Sequence, residues 1–460
     1  MSPDVAPLAP EDLAAPLVIG FGVANQAAVR ALVANGHRPT VVEDRPSETH
    51  RDLAVELGVE LVEQPRPDAL TELVCAASVL LPSPGVPDHH PAFAAAAAAG
   101  VGIISEFDLA QTWDRRPVTA ITGTNGKTTV TMMVADALGR SGVAAAAVGN
   151  TDVPFVEAIA DSGTEVFVVE ASSFRLAHSR RFRPAVAAWL NFAPDHLDAH
   201  ATLEDYEEAK ASIWAELTTG ATVVANADDP VVMRHVPGDT AAGHTLWTFS
   251  IGDGVEATWS VTEVDGAPWL AGPDGPFIAV DRLRRSQPHD LANALATAAL
   301  VVASGGSLDG VVATLRSFEG LPHRLQYLGS RDEVAWYNDS KATVPHATVA
   351  AVGGFDSVVL IAGGYDKGLS FEPLRSTIPP VRAVVAIGDA ADKIEAVYRD
   401  RVPVSRASTM DEAISEADRL AAAGDAVLLS PACASFDWYP NYVTRGLDFI
   451  ERVESGVLLS

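Results

Sequence analysis

Cysteine is nearly absent. Cys75 and Cys433 are the two in 460 residues, which excludes a disulfide framework and implies a reducing compartment. Each reads as a small core hydrophobe. Positive charge is also scarce: 32 Lys and Arg stand against 60 Asp and Glu, a formal net charge of −28. No nucleic acid and no anionic membrane surface is therefore expected as a partner of the whole molecule, and an anionic ligand must be met locally. No apolar run of about 18 residues escapes charge or Gly/Pro punctuation, and no basic N-terminal region leads into an apolar stretch, so neither membrane insertion nor a secretion signal is expected. No repeat of solenoid period occurs. These absences describe a cytoplasmic globular chain, expected to be a monomer. Its length exceeds what one core supports and predicts three domains, at 1–107, 108–320 and 321–460.

What the chain has is rhythm. After residues 1–15, which read as a loose leader, short apolar runs at 17–21, 40–43, 79–81 and 102–105 alternate with Ala/Leu-rich helical stretches. That βαβ order predicts a parallel sheet covered on both faces. A second α/β block opens near 108–117, with strands expected at 143–148, 165–170, 186–191 and 222–226. Between about 245 and 280 the helical period stops, and alternating pieces predict a small antiparallel sheet. A helix around 291–303 and a third alternating block, with strands at 333–338, 357–362, 383–387 and 426–429, complete the chain. The fold class is α/β: an N-terminal Rossmann-like sheet, a central domain of P-loop type and a C-terminal Rossmann-like domain.

The most informative segment is Thr122-Gly123-Thr124-Asn125-Gly126-Lys127-Thr128-Thr129, preceded by an apolar strand and followed by a helical pattern. Glycines let the backbone N–H groups turn inward around phosphates, Lys127 supplies a cation for β- and γ-phosphates, and the Thr128 hydroxyl can reach Mg²⁺. Ile121 stands where the strict phosphate-loop pattern has its first Gly, so the loop is a variant. Downstream, a strand delivers Glu170 to its carboxyl end, where a carboxylate can bind the same Mg²⁺. His196 and His200 are four apart but lack the Glu and third ligand of a zinc site. Lys210, from local pattern alone, is an i, i+3 partner for Glu207. Asn293 is a polar amide on an apolar helix, open to reading as an adenine contact or as a satisfied buried Asn.

The first strand ends in Gly20-Phe21-Gly22-Val23-Ala24-Asn25, similar to a dinucleotide fingerprint but with Asn25 at its third Gly. Glu43 and Asp44 could hold a ribose hydroxyl and Arg45 a phosphate, while Ser83-Pro84-Gly85-Val86 makes a second turn on that edge. In the third block, His323-Arg324, Asn338-Asp339-Ser340-Lys341-Ala342-Thr343, Gly363-Gly364-Tyr365-Asp366-Lys367-Gly368 and Ser430 to Ser435 bring polar groups to strand ends. Arg324, Lys341 and Lys367 would give one crevice a cationic floor.

The phosphate loop, Asn191 with Asp195-His196, Leu321-Pro322-His323-Arg324, the 338–343 and 363–368 segments, Ser430 to Ser435 and Tyr442-Val443-Thr444-Arg445-Gly446 occur in an order that resembles the muramyl (Mur) ligases, specifically the branch adding D-glutamate. The resemblance runs from the first strand to the last helix. It implies that ATP phosphorylates the carboxylate of UDP-N-acetylmuramoyl-L-alanine to an acyl phosphate, which the amine of D-glutamate attacks with loss of phosphate, in peptidoglycan synthesis. By that likeness Lys127, Glu170, His196 and Lys210 are catalytic. Thr128 and Glu170 hold one Mg²⁺, and His196 serves a second together with a carbamylated Lys210. Residues Gly123 to Thr129, Asn293, Arg324, Asp339 and Lys341 meet ATP. Gly22, Glu43, Arg45, Gly85 and Asn150 meet the UDP-linked substrate, and Thr343, Lys367, Ser435 and Tyr442 meet the D-glutamate carboxylates. Glu43-Asp44-Arg45, Asn25 and Tyr442 depart from the usual residues of the family. A folylpolyglutamate synthetase-like ligase would place the phosphate loop near the N-terminus, a diaminopimelate or lysine ligase would carry Asp-Asn-Pro-Arg, and a nonhydrolysing nucleotide-binding regulator would not need the metal set. An NAD dehydrogenase is disfavoured by the missing third Gly.

Overall fold

The computed structural model describes residues 8–87, 89–151, 153–195, 200, 202–238 and 243–458. They form two compact units, Met1–Ser286 with Asp290–Ser317, and Gln287–His289 with Phe318–Ser460. The first unit carries two sheets. One is five-stranded and parallel, in the order Glu60–Glu63, Thr40–Glu43, Pro16–Ile19, Val79–Pro82, Gly102–Ile103. Successive strands leave Pro16–Ile19 in opposite directions, so a topological switch point, where α/β sheets bind ligands, lies between it and Val79–Pro82. Strand Glu60–Glu63 escaped the sequence reading because it is a partly exposed edge strand with Glu at both ends.

The second sheet has nine strands, in the order Gly275–Ala279, Ala267–Gly272, Trp259–Val264, Thr245–Ser250, Thr222–Asn226, Val186–Trp189, Val118–Thr122, Val166–Glu170, Ala145–Gly149. Strands Val118–Thr122, Val166–Glu170 and Val186–Trp189 are buried throughout, as expected where helices cover both faces. The antiparallel strands between 259 and 279 are not a sheet of their own. Strand Thr245–Ser250 pairs in parallel with Thr222–Asn226, Trp259–Val264 then joins it in parallel, and the last two strands fold back antiparallel on that edge. Local alternation reveals the strands but not the partner to which they bond. Phe107, at the end of the first sheet's region, packs against Phe182 at 4.8 Å and Phe155 at 6.2 Å, and Phe155 meets Phe167 of the nine-stranded sheet at 5.0 Å. These rings join the two sheets into one core.

Two local expectations fail in this unit. Part of the expected leader is ordered: Pro10–Leu13 is a short 3₁₀ helix, and Leu8 and Leu13 enter the core. Cys75 is exposed rather than buried, because the apolar stripe of helix Pro67–Ala76 is Leu70 and Val74 and the next residue points about 100° away. Cys433 is buried as expected.

The second unit has a six-stranded sheet, ordered Gln326–Arg331, Val334–Asn338, Ala426–Leu429, Val358–Gly363, Val381–Ile387, Val404–Ala407. Its first strand forms an antiparallel hairpin with Val334–Asn338, and the other pairings are parallel. The neighbouring strands Val334–Asn338, Ala426–Leu429 and Val358–Gly363 therefore end side by side, and so do the three polar loops that follow them. Among the described residues no helix is long and apolar enough to cross a membrane.

Candidate active site

Strand Val118–Thr122 lies between Val186–Trp189 and Val166–Glu170 and empties into the glycine loop at the start of helix Lys127–Arg140. Gly126 caps that helix with φ +82°, and a Cβ there would stand 2.6 Å from Asn293 Oδ1. The sequence left two readings open for Asn293, and the structure sets its amide against the loop. Asn191, from the end of the adjacent strand, clamps the loop: its Oδ1 accepts from Asn125 N at 2.8 Å, its Nδ2 donates to Asn125 O at 3.1 Å, and its carbonyl accepts from Thr124 N at 3.0 Å. Thr128 and Thr129 occupy the first helical turn, where backbone N–H groups favour an anion. Gly126→Ala is expected to weaken nucleotide binding about tenfold, ~1.4 kcal/mol, measured by titration with a fluorescent ATP analogue; unchanged affinity would remove the loop from the nucleotide site.

Two lysines converge on one carbonyl. Lys127 Nζ donates to Gly123 O at 2.8 Å and Thr124 O at 3.0 Å, and Lys210 Nζ donates to the same Gly123 O at 2.8 Å. Lys210 is 1% exposed and lies 4.6 Å over the Tyr206 ring, one helical turn earlier. Burial, then the charge of Lys127, pushes its amine well below the usual lysine range, against the opposing pull of Asp195 and Glu170. The pairing with Glu207 expected from spacing is not made: Glu207 accepts instead from Arg234 and His235.

Glu170 is buried. Its Oε1 accepts from Asn150 Nδ2 at 3.0 Å, while its buried Oε2 has no hydrogen-bond partner among the described residues. A buried carboxylate oxygen left this way is costly, and a divalent cation would satisfy it. Asn150 also donates its backbone N to Glu170 O at 2.8 Å, so the residue expected at the acceptor substrate also orients the expected metal ligand. His200 bonds Ser173 Oγ at 2.9 Å and stacks on Phe174. His196 lies outside the described residues.

At the switch point of the first sheet, Asn25 does what a third glycine cannot. Buried, it directs its amide to the carbonyls of Ile19, Gly20 and Leu81 at 3.2, 2.9 and 3.3 Å, tying both strand ends together. Glu43 accepts from Phe21 N at 2.7 Å and Arg45 N at 2.8 Å, bracing the two turns. Gly22 caps helix Val23–Ala34, and Gly22, Arg45 and Gly85 are exposed on these turns. A cleft beside them is lined by Asn25, Pro84, Glu106, Arg175 and His178, among others. Glu106 and Arg175 form a buried ion pair at 3.6 Å, yet Glu106 Oε1 and Arg175 Nε and Nη1 make no hydrogen bond among the described residues. Burial pushes the Glu106 carboxyl up, against the pull of Arg175. Sequence reasoning passed over this pair because a lone Arg on a short helix looks like a solvated surface residue.

In the second unit the structure gathers the expected loops. Lys341 Nζ lies 4.0 Å over the Tyr442 ring. Asp339 Oδ2 accepts from Ser430 Oγ at 2.7 Å and its Oδ1 from Leu325 N at 3.2 Å, fixing the segment that carries Arg324. His323 accepts at Nδ1 from Asn338 Nδ2 at 2.9 Å, the bond of a neutral ring, and burial and Lys341 both lower its pKa. Ser435 is buried, Thr343 is half-buried and Lys367 is exposed, each on one of the three adjacent loops.

The chain is similar to known proteins along nearly its whole length. Residues 14–105 match the Mur ligase MurD-like N-terminal domain, 121–301 the Mur ligase middle domain, and 323–433 the Mur ligase glutamate ligase domain. The chain is 36% identical to the UDP-N-acetylmuramoylalanine–D-glutamate ligase of Nitrosococcus oceani, covering 97% of this chain and 98% of that one. With the ligase of the same name from Frankia casuarinae it shares 39% identity, over 95% and 93% of the two chains. The solved UDP-N-acetylmuramate–alanine ligase of Thermotoga maritima has the same fold, with a TM-score of 0.58 at 18% identity over 96% of this chain and 99% of that one. At such identities across nearly the whole chain, and with all three domain types matched in order, the chain belongs to the Mur ligase family.

Proposed function

We propose that the chain joins D-glutamate to UDP-N-acetylmuramoyl-L-alanine at the expense of ATP, through an acyl phosphate, as a cytoplasmic monomer in peptidoglycan precursor synthesis. The observation that carries the reading is the convergence of Lys127 and Lys210 on the Gly123 carbonyl, with the open oxygen of Glu170 charge-coupled to Lys210. A phosphate-binding turn alone would need neither a buried second lysine nor an unsatisfied carboxylate. A nucleotide-binding regulator and a folylpolyglutamate synthetase-like ligase are both less favoured for that reason and for the first sheet that precedes the loop.

We assign residues 1–107 to the UDP-linked acceptor, 108–320 to ATP and 321–460 to the amino acid. Bound ATP supplies the phosphoryl group, and two Mg²⁺ ions lower the charge barrier to a carboxylate nucleophile. Gly123 to Thr129, with Asn293, Arg324, Asp339 and Lys341, hold the nucleotide, and Lys127 neutralises the charge on the phosphate being transferred. Thr128 and Glu170 would hold one Mg²⁺, and His196 with Lys210 the other. A neutral Lys210 amine can add CO₂ and release a proton, which would turn a buried amine into a carboxylate-like ligand. Gly22, Glu43, Arg45, Gly85 and Asn150 take the acceptor. Thr343, Lys367, Ser435 and Tyr442 take the carboxylates of D-glutamate, leaving its amine to attack.

An amino-acid panel with the UDP-linked acceptor, ATP and Mg²⁺ tests the reading by phosphate release. D-Glutamate alone is expected to respond; a stronger response to L-glutamate, lysine or diaminopimelate would overturn the assignment.

A further inference from the structure

Helix Tyr442–Val453 buries Arg445, Gly446, Phe449 and Val453 on one face. Arg445 is 1% exposed, and its guanidinium spans the segments where the amino acid is placed. Nε donates to Ser340 Oγ at 2.9 Å, Nη2 to Ser340 O at 2.9 Å and Cys433 O at 3.1 Å, and Nη1 to Ala434 O at 3.1 Å. The third loop touches it too: a Cβ on Gly364, at φ +137°, would stand 3.1 Å from Nη1 and 2.4 Å from Ala434 O. Ser340 Oγ in turn donates to Tyr442 O at 2.8 Å. All the acceptors are neutral, and among the described residues no carboxylate pairs with the guanidinium. Asp437 and Asp339 act on the guanidinium only through space; a buried arginine without a direct ion pair is unfavourable for stability alone, and its planar fork suits the bridging of several fixed carbonyls.

We propose that Arg445 is a positioning residue for the incoming amino acid: it locks together the loops bearing Thr343, Lys367 and Ser435 and the helix turn bearing Tyr442, behind a dicarboxylate site. Burial lowers its pKa to about 10, so the charge persists at neutral pH. The inference rests on placing D-glutamate at these loops. Arg445→Lys keeps the charge but cannot reproduce the fork; it is expected to raise KM for D-glutamate at least about tenfold, while KM for ATP and for the UDP-linked acceptor stay within about threefold. Ser340→Ala, which removes one acceptor and leaves the guanidinium, is expected to raise KM for D-glutamate about threefold to tenfold. A general structural role would move all three KM values together or lower only the melting temperature, and that result, or a D-glutamate KM within about twofold of wild type in both variants, overturns the proposal. If Arg445→Lys does not fold, Ser340→Ala decides by the same criterion. A wild-type enzyme that ignores D-glutamate would instead remove the placement of the amino acid.

Discussion

Lys127→Ala is expected to lower phosphate release on the order of a thousandfold, the scale for removing one preorganised charge from a phosphoryl-transfer site, while circular dichroism and melting temperature stay near wild type. Its Nζ donates to Gly123 O and Thr124 O of its own loop, so its loss removes charge from the cradle without opening the core. The Asn191 clamp holds the loop independently of it. Phosphate release at the wild-type rate from a folded Lys127→Ala variant would contradict the assignment of this loop to the transferred phosphate.

The second large effect is expected at Lys210. Its amine is buried and held well below the usual lysine range, first by burial and then by Lys127. A lowered pKa raises the neutral fraction at physiological pH, and only the neutral amine adds CO₂. Lys210→Ala is expected to lose activity about a hundredfold and to regain part of it when short carboxylates such as acetate or formate are added, because they can take the place of the carbamate oxygens. Lys127→Ala should gain nothing from the same additives. A Lys210→Ala enzyme indifferent to carboxylates would contradict carbamylation and leave the residue as an unmodified amine beside Gly123.

The contrast between these two lysines shows what was legible in the chain. Lys127 sits at a fixed offset from Gly123 and Gly126, so its role is written in local spacing. Lys210 has only Glu207 at helical distance, and local spacing pairs the two. The fold instead gives Glu207 to Arg234 and His235 and turns Tyr206 and Lys210 toward the loop, with Tyr206 OH 3.2 Å from Thr124 Oγ1. That contact spans 82 residues and leaves no trace in local spacing; only the family resemblance singled out Lys210. Parallel sheets were readable because their strands are continuous buried apolar runs. The edge strands Glu60–Glu63 and Val404–Ala407, half polar, were not, and neither was the joining of the antiparallel strands to the parallel sheet, since pairing partners are set by tertiary packing. Arg445 stands inside the 442–446 motif with no role legible there, because nothing in an amphipathic helix says that its arginine faces inward.

The central claim is that the acceptor carboxylate becomes an acyl phosphate before the amide forms. With ¹⁸O in the carboxylate of UDP-N-acetylmuramoyl-L-alanine, a carboxylate oxygen attacks phosphorus, the amine attacks carbon, and that same oxygen departs with the phosphate. Mass spectrometry of the released phosphate is therefore predicted to find one labelled oxygen per turnover from a doubly labelled carboxylate. Unlabelled phosphate accompanying amide formation would contradict the account.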